Sequence, residues 1–390
     1  MSKKPRIAER MSDIQPFHVM ALLGRARELE AQGRDIVHME IGEPDFTTAQ
    51  PIIDAGVDAL QAGHTHYTPS VGLPALREAI SAFYKQRYGV DVPARRIVIT
   101  PGASGALQLI FSVLVNPGDA VLMADPGYPC NRHFVRLNEG EPVGVPVDAI
   151  TDYQLTADLL DKYWSENTVA AMLASPSNPT GTIVSDDGIR AMHAVAEKHD
   201  GHLIVDEIYH GLIYDENIGT ALAIDENIFI INSFSKYFGM TGWRVGWLVA
   251  PEEYIDAIDR LAQNIFLAAS TPAQHAALAA LSPEAIEILE QRRAEFAERR
   301  DYLLPALREL GFDISVNPQG AFYLYANCSK FTDDSYQFAN DLLEEAGVAI
   351  TPGIDFGSNK PEQHVRFAYT TSLENLKKGV ERIKGFLDKR

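Results

Sequence analysis

Residues 232–247 read NSFSKYFGMTGWRVGW, and the reading of this stretch governs the rest of the chain. Lys236 has Ser233 and Ser235 just before it and Gly239 just after it. Arg244 follows eight positions on, flanked by Gly242 and Gly246. The preceding IFIINSFS is an apolar run of strand length that passes into a loop. A lysine at the mouth of a sheet, beside hydroxyls and an arginine, suits imine formation with a carbonyl cofactor whose phosphate Ser233 and Arg244 hold. A solvated lysine and an arginine in a surface ion pair is the commoner meaning of such residues met singly. The other strand ends decide between the two.

Outward from that stretch, residues 70–250 alternate helical and strand patterns. LPALREAISAFYKQRYG and ASGALQLIFSVLV have helical periodicity. RIVITPG, AVLMADPGYP, AAMLASPSNPTG, HLIVDEIY, IFIINSFS and RVGWLVA are apolar runs of strand length. Continuous apolar strands between helices predict an α/β fold with a mostly parallel sheet covered by helices on both faces. Ligands of such sheets bind beyond the carboxyl ends of the strands. Asp125, Asn178, Asp206 and Lys236 all fall at or just after such ends. Beyond residue 252 a long charged helix precedes FDISVNP, AFYLYANC, VAITPG and HVRFAYTT, which read as a smaller α/β domain; the amphipathic PFHVMALLGRARELEAQG is expected to pack with it. The expected divisions are an N-terminal arm and part of the small domain (1–46), a large domain (47–289) and a C-terminal small domain (290–390).

Composition narrows the function. A chain of 390 residues with 46% hydrophobic and 22% charged residues is globular and long enough for two packed subdomains. A formal net charge of −19 argues against nucleic acid as a partner, so any anion must be gripped locally. Cys130 and Cys328 make no disulfide framework, no C-x-x-C pair suggests zinc, and no metal is expected. The basic start, MSKKPRIAERMSDIQPF, lacks the apolar core of a signal peptide, and no apolar run reaches membrane-spanning length. These features predict a cytoplasmic protein without a membrane partner.

Four motifs bear on Lys236. TPGASGA (100–106) joins a strand to a helix, and its small residues let backbone N–H groups approach a phosphate, with the Ser104 hydroxyl to help. A plain tight turn explains it equally well. Asp206 ends HLIVD, where a carboxylate needs a cation such as a protonated pyridine nitrogen; a structural capping role is the alternative. SPSNPTG (175–181) is a rigid turn presenting Asn178, able, like Tyr209, to donate to a phenolate oxygen, or simply a turn. Tyr128 in DPGYP can stack on a planar ring or merely pack. The bland readings must all hold at once for the site to vanish.

Taken in order, GASGA, DPGYP, SPSNPTG, DEIY, SFSKYFGMTGWRVG and HVRFAYT resemble the signature of class I and II aminotransferases, in the aspartate aminotransferase superfamily of fold type I pyridoxal-phosphate enzymes. The resemblance runs from IGEPDF to the terminal helix. It implies pyridoxal 5'-phosphate as cofactor and Lys236 as the Schiff-base lysine and catalytic proton carrier. It further implies Asp206 as partner of the ring nitrogen, and Asn178 and Tyr209 as partners of the phenolic oxygen. Ser233, Arg244, Ala103 and Ser104 would hold the phosphate, and Tyr128 would stack on the ring. Arg366 would clamp the substrate α-carboxylate beside Asn178 and the Gly42 N–H, a task suited to a bidentate guanidinium. Tyr67 would reach a neighbouring subunit's phosphate, which implies a homodimer with shared sites.

The implied reaction moves the amino group of an L-amino acid to a 2-oxo acid by a ping-pong mechanism. The resemblance implies that the N-terminal segment IQPFHV (14–19) builds part of the pocket; it carries no Arg or Lys for a distal carboxylate, so among aspartate, alanine and aromatic or other neutral donors it leans away from strict dicarboxylate preference. The rivals are a carbon–sulfur lyase or other eliminating relative using the same cofactor, a regulator of the same fold, and a nucleotide-binding oxidoreductase. The regulator needs a basic DNA-binding module for which this chain shows no segment.

Overall fold

Each of the six apolar runs of the large domain forms a strand, as their unbroken hydrophobicity requires of strands covered on both faces. A computed structural model describes residues 5–215 and 218–390; residues 1–4 of the basic N-terminal stretch lie outside the described residues. The sheet has seven strands in the order Ile97–Thr100, Gly246–Val249, Phe229–Ser233, His202–Asp206, Thr168–Ala174, Ala120–Asp125, Glu141–Pro146. Gly246–Val249 pairs antiparallel with both neighbours, and every other pairing is parallel.

Alternation along the strands builds two cores. Ile99, Leu122, Val205 and Ile230 point into one, and Val98, Val121, Ile204 and Ile231 into the other. All eight are fully buried, so truncating any of them to Ala is expected to cost about 2–5 kcal/mol. Helices close both faces, and the sheet's carboxyl edge is left for polar side chains. The helix Pro74–Tyr88 stops where expected, at Gly89 with φ +74°.

Glu141–Pro146 did not stand out as a strand in the sequence. It carries Pro142, Gly144 and Pro146 and is tolerated because it lies at the sheet edge. FDISVNP contributes only the bridge Asp313–Asn327, and Pro318 ends any further pairing. Tyr323–Asn327, His364–Ala368 and Thr351–Pro352 make a three-stranded antiparallel sheet, while Val37–His38 pairs with Val348–Ala349. A single helix, Pro283–Leu310, runs across the expected division at 289/290. Helix His18–Ala31 packs against Thr351–Pro352, as its amphipathic pattern suggested. Among the described residues no helix is long and apolar enough to cross a membrane.

Candidate active site

The carboxyl ends of the parallel strands open into a cavity of about 430 Å³. Every residue given a site role by the resemblance lines it except Tyr67, which is 83% exposed and stands outside; Asp125, also noted at a strand end, does not line it and instead accepts the Ser358 N–H at 3.0 Å.

Lys236 follows the strand Phe229–Ser233 in a turn pinned by buried Phe234, Tyr237 and Phe238. The turn closes at Gly239, which has φ +63° and whose carbonyl accepts the Thr48 hydroxyl at 2.8 Å. These anchors fix the backbone, so the lysine side chain is aimed rather than free. Its Nζ donates to the Gly42 carbonyl at 2.6 Å. Burial, with Arg366 and Arg244 nearby, lowers its pKa to about 8 against the opposing pull of Glu43 and Asp206. A neutral amine is therefore accessible near physiological pH.

At one end of the cavity the donors suit an anion. The helix Gly102–Leu114 begins there with no side chain capping its first N–H groups, and Ala103 and Ser104 face the cavity. Ser233 and Ser235, both buried, share a hydroxyl bond of 3.0 Å beside it. Arg244 adopts φ +55°, a region that disfavours side chains other than glycine, and its Nη1 donates to the Thr241 carbonyl at 2.9 Å. Gly102 leaves the space for that guanidinium: a Cβ there would meet Arg244 Nη2 at 2.6 Å.

Asp206 marks the other end. It is 6% exposed and accepts one hydrogen bond, from the Ile208 N–H at 3.0 Å. Burial pushes its pKa up to about 7. Such a carboxyl calls for a cationic partner, and no ion pair supplies one among the described residues. Tyr128, 37% exposed, also lines the cavity.

Arg366 spans the cavity's far side, on His364–Ala368. Its Nη1 donates to Asn178 Oδ1 at 2.9 Å, and its Nη2 donates to the Glu40 carbonyl at 2.6 Å and Thr351 Oγ1 at 3.1 Å. Its Nε is buried without a partner among the described residues. Asn178 thus spends its carbonyl on Arg366 and keeps its amide N–H group for a ligand.

Several lining residues went unnoticed in the sequence. The Tyr323 hydroxyl lies 2.9 Å from that of Tyr209, and Arg366 stacks over its ring at 4.3 Å. A Cβ on Gly42 would strike the same hydroxyl at 2.1 Å, so glycine is required there. Phe17 and Val19, from the segment expected to build part of the pocket, form an apolar wall with Met20 and Leu23, which the sequence did not single out. Asp355 fixes that wall by capping the helix start, accepting the His18 and Val19 N–H groups at 2.8 Å each. An aromatic within a strand and a cap 337 residues distant in sequence leave no local pattern to read.

The family model for aminotransferase class I and II matches residues 34–383. The chain belongs to that family. Among its relatives, (5-formylfuran-3-yl)methyl phosphate transaminase of Methanocaldococcus jannaschii is 40% identical, covering 98% of this chain and all of the relative. Valine–pyruvate aminotransferase of Mycobacterium tuberculosis is 37% identical over 98% of both chains. The crystal structure of an aminotransferase from Mycobacterium tuberculosis superimposes with a TM-score of 0.96 at 36% identity, covering 99% of this chain and all of that one. The chain is thus a transaminase of a pyridoxal-phosphate-dependent family. The donor set fits that cofactor: an anion cradle for the phosphate, a buried carboxyl without an ion-pair partner among the described residues for the ring nitrogen, and a lysine of lowered pKa in the same cavity.

Proposed function

We propose that the enzyme transfers the amino group of a neutral L-amino acid, aliphatic or aromatic, to a 2-oxo acid by a ping-pong mechanism. The observation that carries the donor class is the cavity's charge. Its only cations among the described residues are Lys236, Arg244 and Arg366. Lys236 and Arg244 are assigned to the cofactor and Arg366 to the α-carboxylate, which leaves none for a distal carboxylate. Glu43 lines the cavity and repels one, whereas the wall of Phe17, Val19, Met20 and Leu23 favours an apolar side chain.

Bound pyridoxal phosphate supplies an electron-withdrawing ring that accepts the electron pair left when the α-proton departs. Ser233, Arg244 and the first N–H groups of Gly102–Leu114 hold the phosphate. Asp206 keeps the ring nitrogen protonated, because an ionised carboxylate at this buried position is stabilised by that cation. The N–H group of Asn178 and the Tyr209 hydroxyl meet the phenolic oxygen, and Tyr128 covers one ring face. Arg366 and the Gly42 N–H orient the substrate carboxylate. Lys236 Nζ would take up the substrate's α-proton and later return it. Its lowered pKa makes it competent to do so.

We take the working unit to be a homodimer, which the 83% exposure of Tyr67 supports by leaving its side chain free to reach a second subunit. We further place the enzyme in the cytoplasm. A panel of amino donors against pyruvate, 2-oxoglutarate and oxaloacetate tests the reading. Neutral donors are expected to exceed aspartate and glutamate in kcat/KM; strict dicarboxylate preference, or release of free ammonia as the main product, would overturn it.

A further inference from the structure

On the helix Asp186–Lys198, His193 is 7% exposed, yet neither of its ring nitrogens has a hydrogen-bond partner among the described residues. Its Nε2 lies 3.7 Å from a carboxylate oxygen of Glu197, one helical turn on, and 3.6 Å from one of Asp225. The ligand atoms of the three residues all fall within 4.8 Å of one another. Buried imidazoles are ordinarily satisfied by a hydrogen bond. Here three potential ligand atoms surround a small space just beyond hydrogen-bond length. Ligands about 2.1 Å from a tetrahedral ion stand roughly 3.4 Å apart, close to both measured separations.

We propose that His193, Glu197 and Asp225 bind a divalent transition-metal ion such as zinc, with solvent completing its coordination. One imidazole with two carboxylates suits a borderline metal, whereas magnesium and calcium prefer oxygen alone. Residues i and i+4 project from one helix face, so the helix presents His193 and Glu197 together. Asp225 approaches from the segment before the strand Phe229–Ser233, and its Oδ1 also accepts the Asn227 N–H at 2.8 Å, which fixes its orientation. Glu197, with its side chain 58% exposed, and Asp225, at 34%, leave a path from solvent, while His193 forms the floor. The site lies at the amino end of the strand, away from the cavity at its carboxyl end. The ion would tie the helix to the sheet and act on stability rather than on turnover.

The test uses the holoenzyme free of any affinity tag, titrated with zinc chloride and followed by metal analysis after dialysis and by thermal unfolding. One retained zinc per chain and a higher melting temperature are expected. Glu197→Gln and Asp225→Asn, both altering side chains reachable from solvent, should weaken zinc binding at least about tenfold and abolish the rise in Tm. Transaminase kcat should be unchanged in both. Failure of the parent to retain zinc would overturn the assignment, as would equal retention by parent and both variants. An equal rise in Tm with magnesium chloride would overturn the choice of metal class.

Discussion

Replacing Asp206 with Asn separates the carboxyl's destabilising effect in the bare protein from its use in the loaded enzyme. Burial raises its pKa from 3.8 to about 7. The folded chain therefore holds a proton that the unfolded chain has released, and folding is opposed by ionisation of this group. The penalty is absent below pH 4, grows as pH rises towards 7 and is constant above. A gap of about three pH units at about 1.4 kcal/mol each sets it on the order of 4 kcal/mol. Asn keeps the size and can still accept the Ile208 N–H, but carries no charge. In urea unfolding of the cofactor-free protein at pH 8, Asp206→Asn is expected to be the more stable form, by up to about 4 kcal/mol. That advantage should shrink steadily as the pH is lowered towards 4. With cofactor restored the order should reverse in function, and kcat should fall by about a hundredfold or more, because the neutral amide no longer holds the ring nitrogen protonated. A cofactor-free variant less stable than the parent at pH 8, or an advantage independent of pH, would show that Asp206 carries no burial penalty.

Arg366→Lys keeps the charge but loses the planar fork, so KM for the amino donor should rise roughly ten- to hundredfold in steady-state assays, with cofactor affinity little changed. Gly102→Ala places a Cβ against Arg244 and at φ +68°, and pyridoxal-phosphate affinity measured by fluorescence titration should fall about tenfold or more. His38, hydrogen-bonded to Glu40 at 2.7 Å, is raised to about 9 against that carboxylate. Its folded pKa exceeds its unfolded one, so its stabilisation is complete below pH 6.5 and is lost as pH rises through about 9. His38→Gln should therefore cost about 1–2 kcal/mol at pH 6 and little at pH 10, by urea unfolding.

Much of the site was legible because apolar strands stop where polar side chains begin. Asp206, Ser233 and Lys236 each follow an unbroken buried run, and the family's motif order supplied their partners. The arm-side wall was less so. The segment holding Phe17 and Val19 was expected at the pocket from the resemblance alone, and what fixes it there is the distant cap from Asp355. Tyr323 sits in an aromatic strand whose alternation signals packing and nothing more. The bond between Arg366 and Asn178 joins two motifs 188 residues apart, so each was visible and their contact was not. Glu141–Pro146 escaped notice because its prolines mimic a loop, and only its edge position makes it a strand.

In the proposed reaction Lys236 carries both the cofactor and the proton. Borohydride reduction of the holoenzyme, followed by proteolysis and mass spectrometry of the peptides, tests this most directly. The pyridoxyl label is expected on Lys236 alone, with Lys236→Ala unlabelled and devoid of turnover. A label on another lysine, or transamination by the unlabelled variant, would contradict this role.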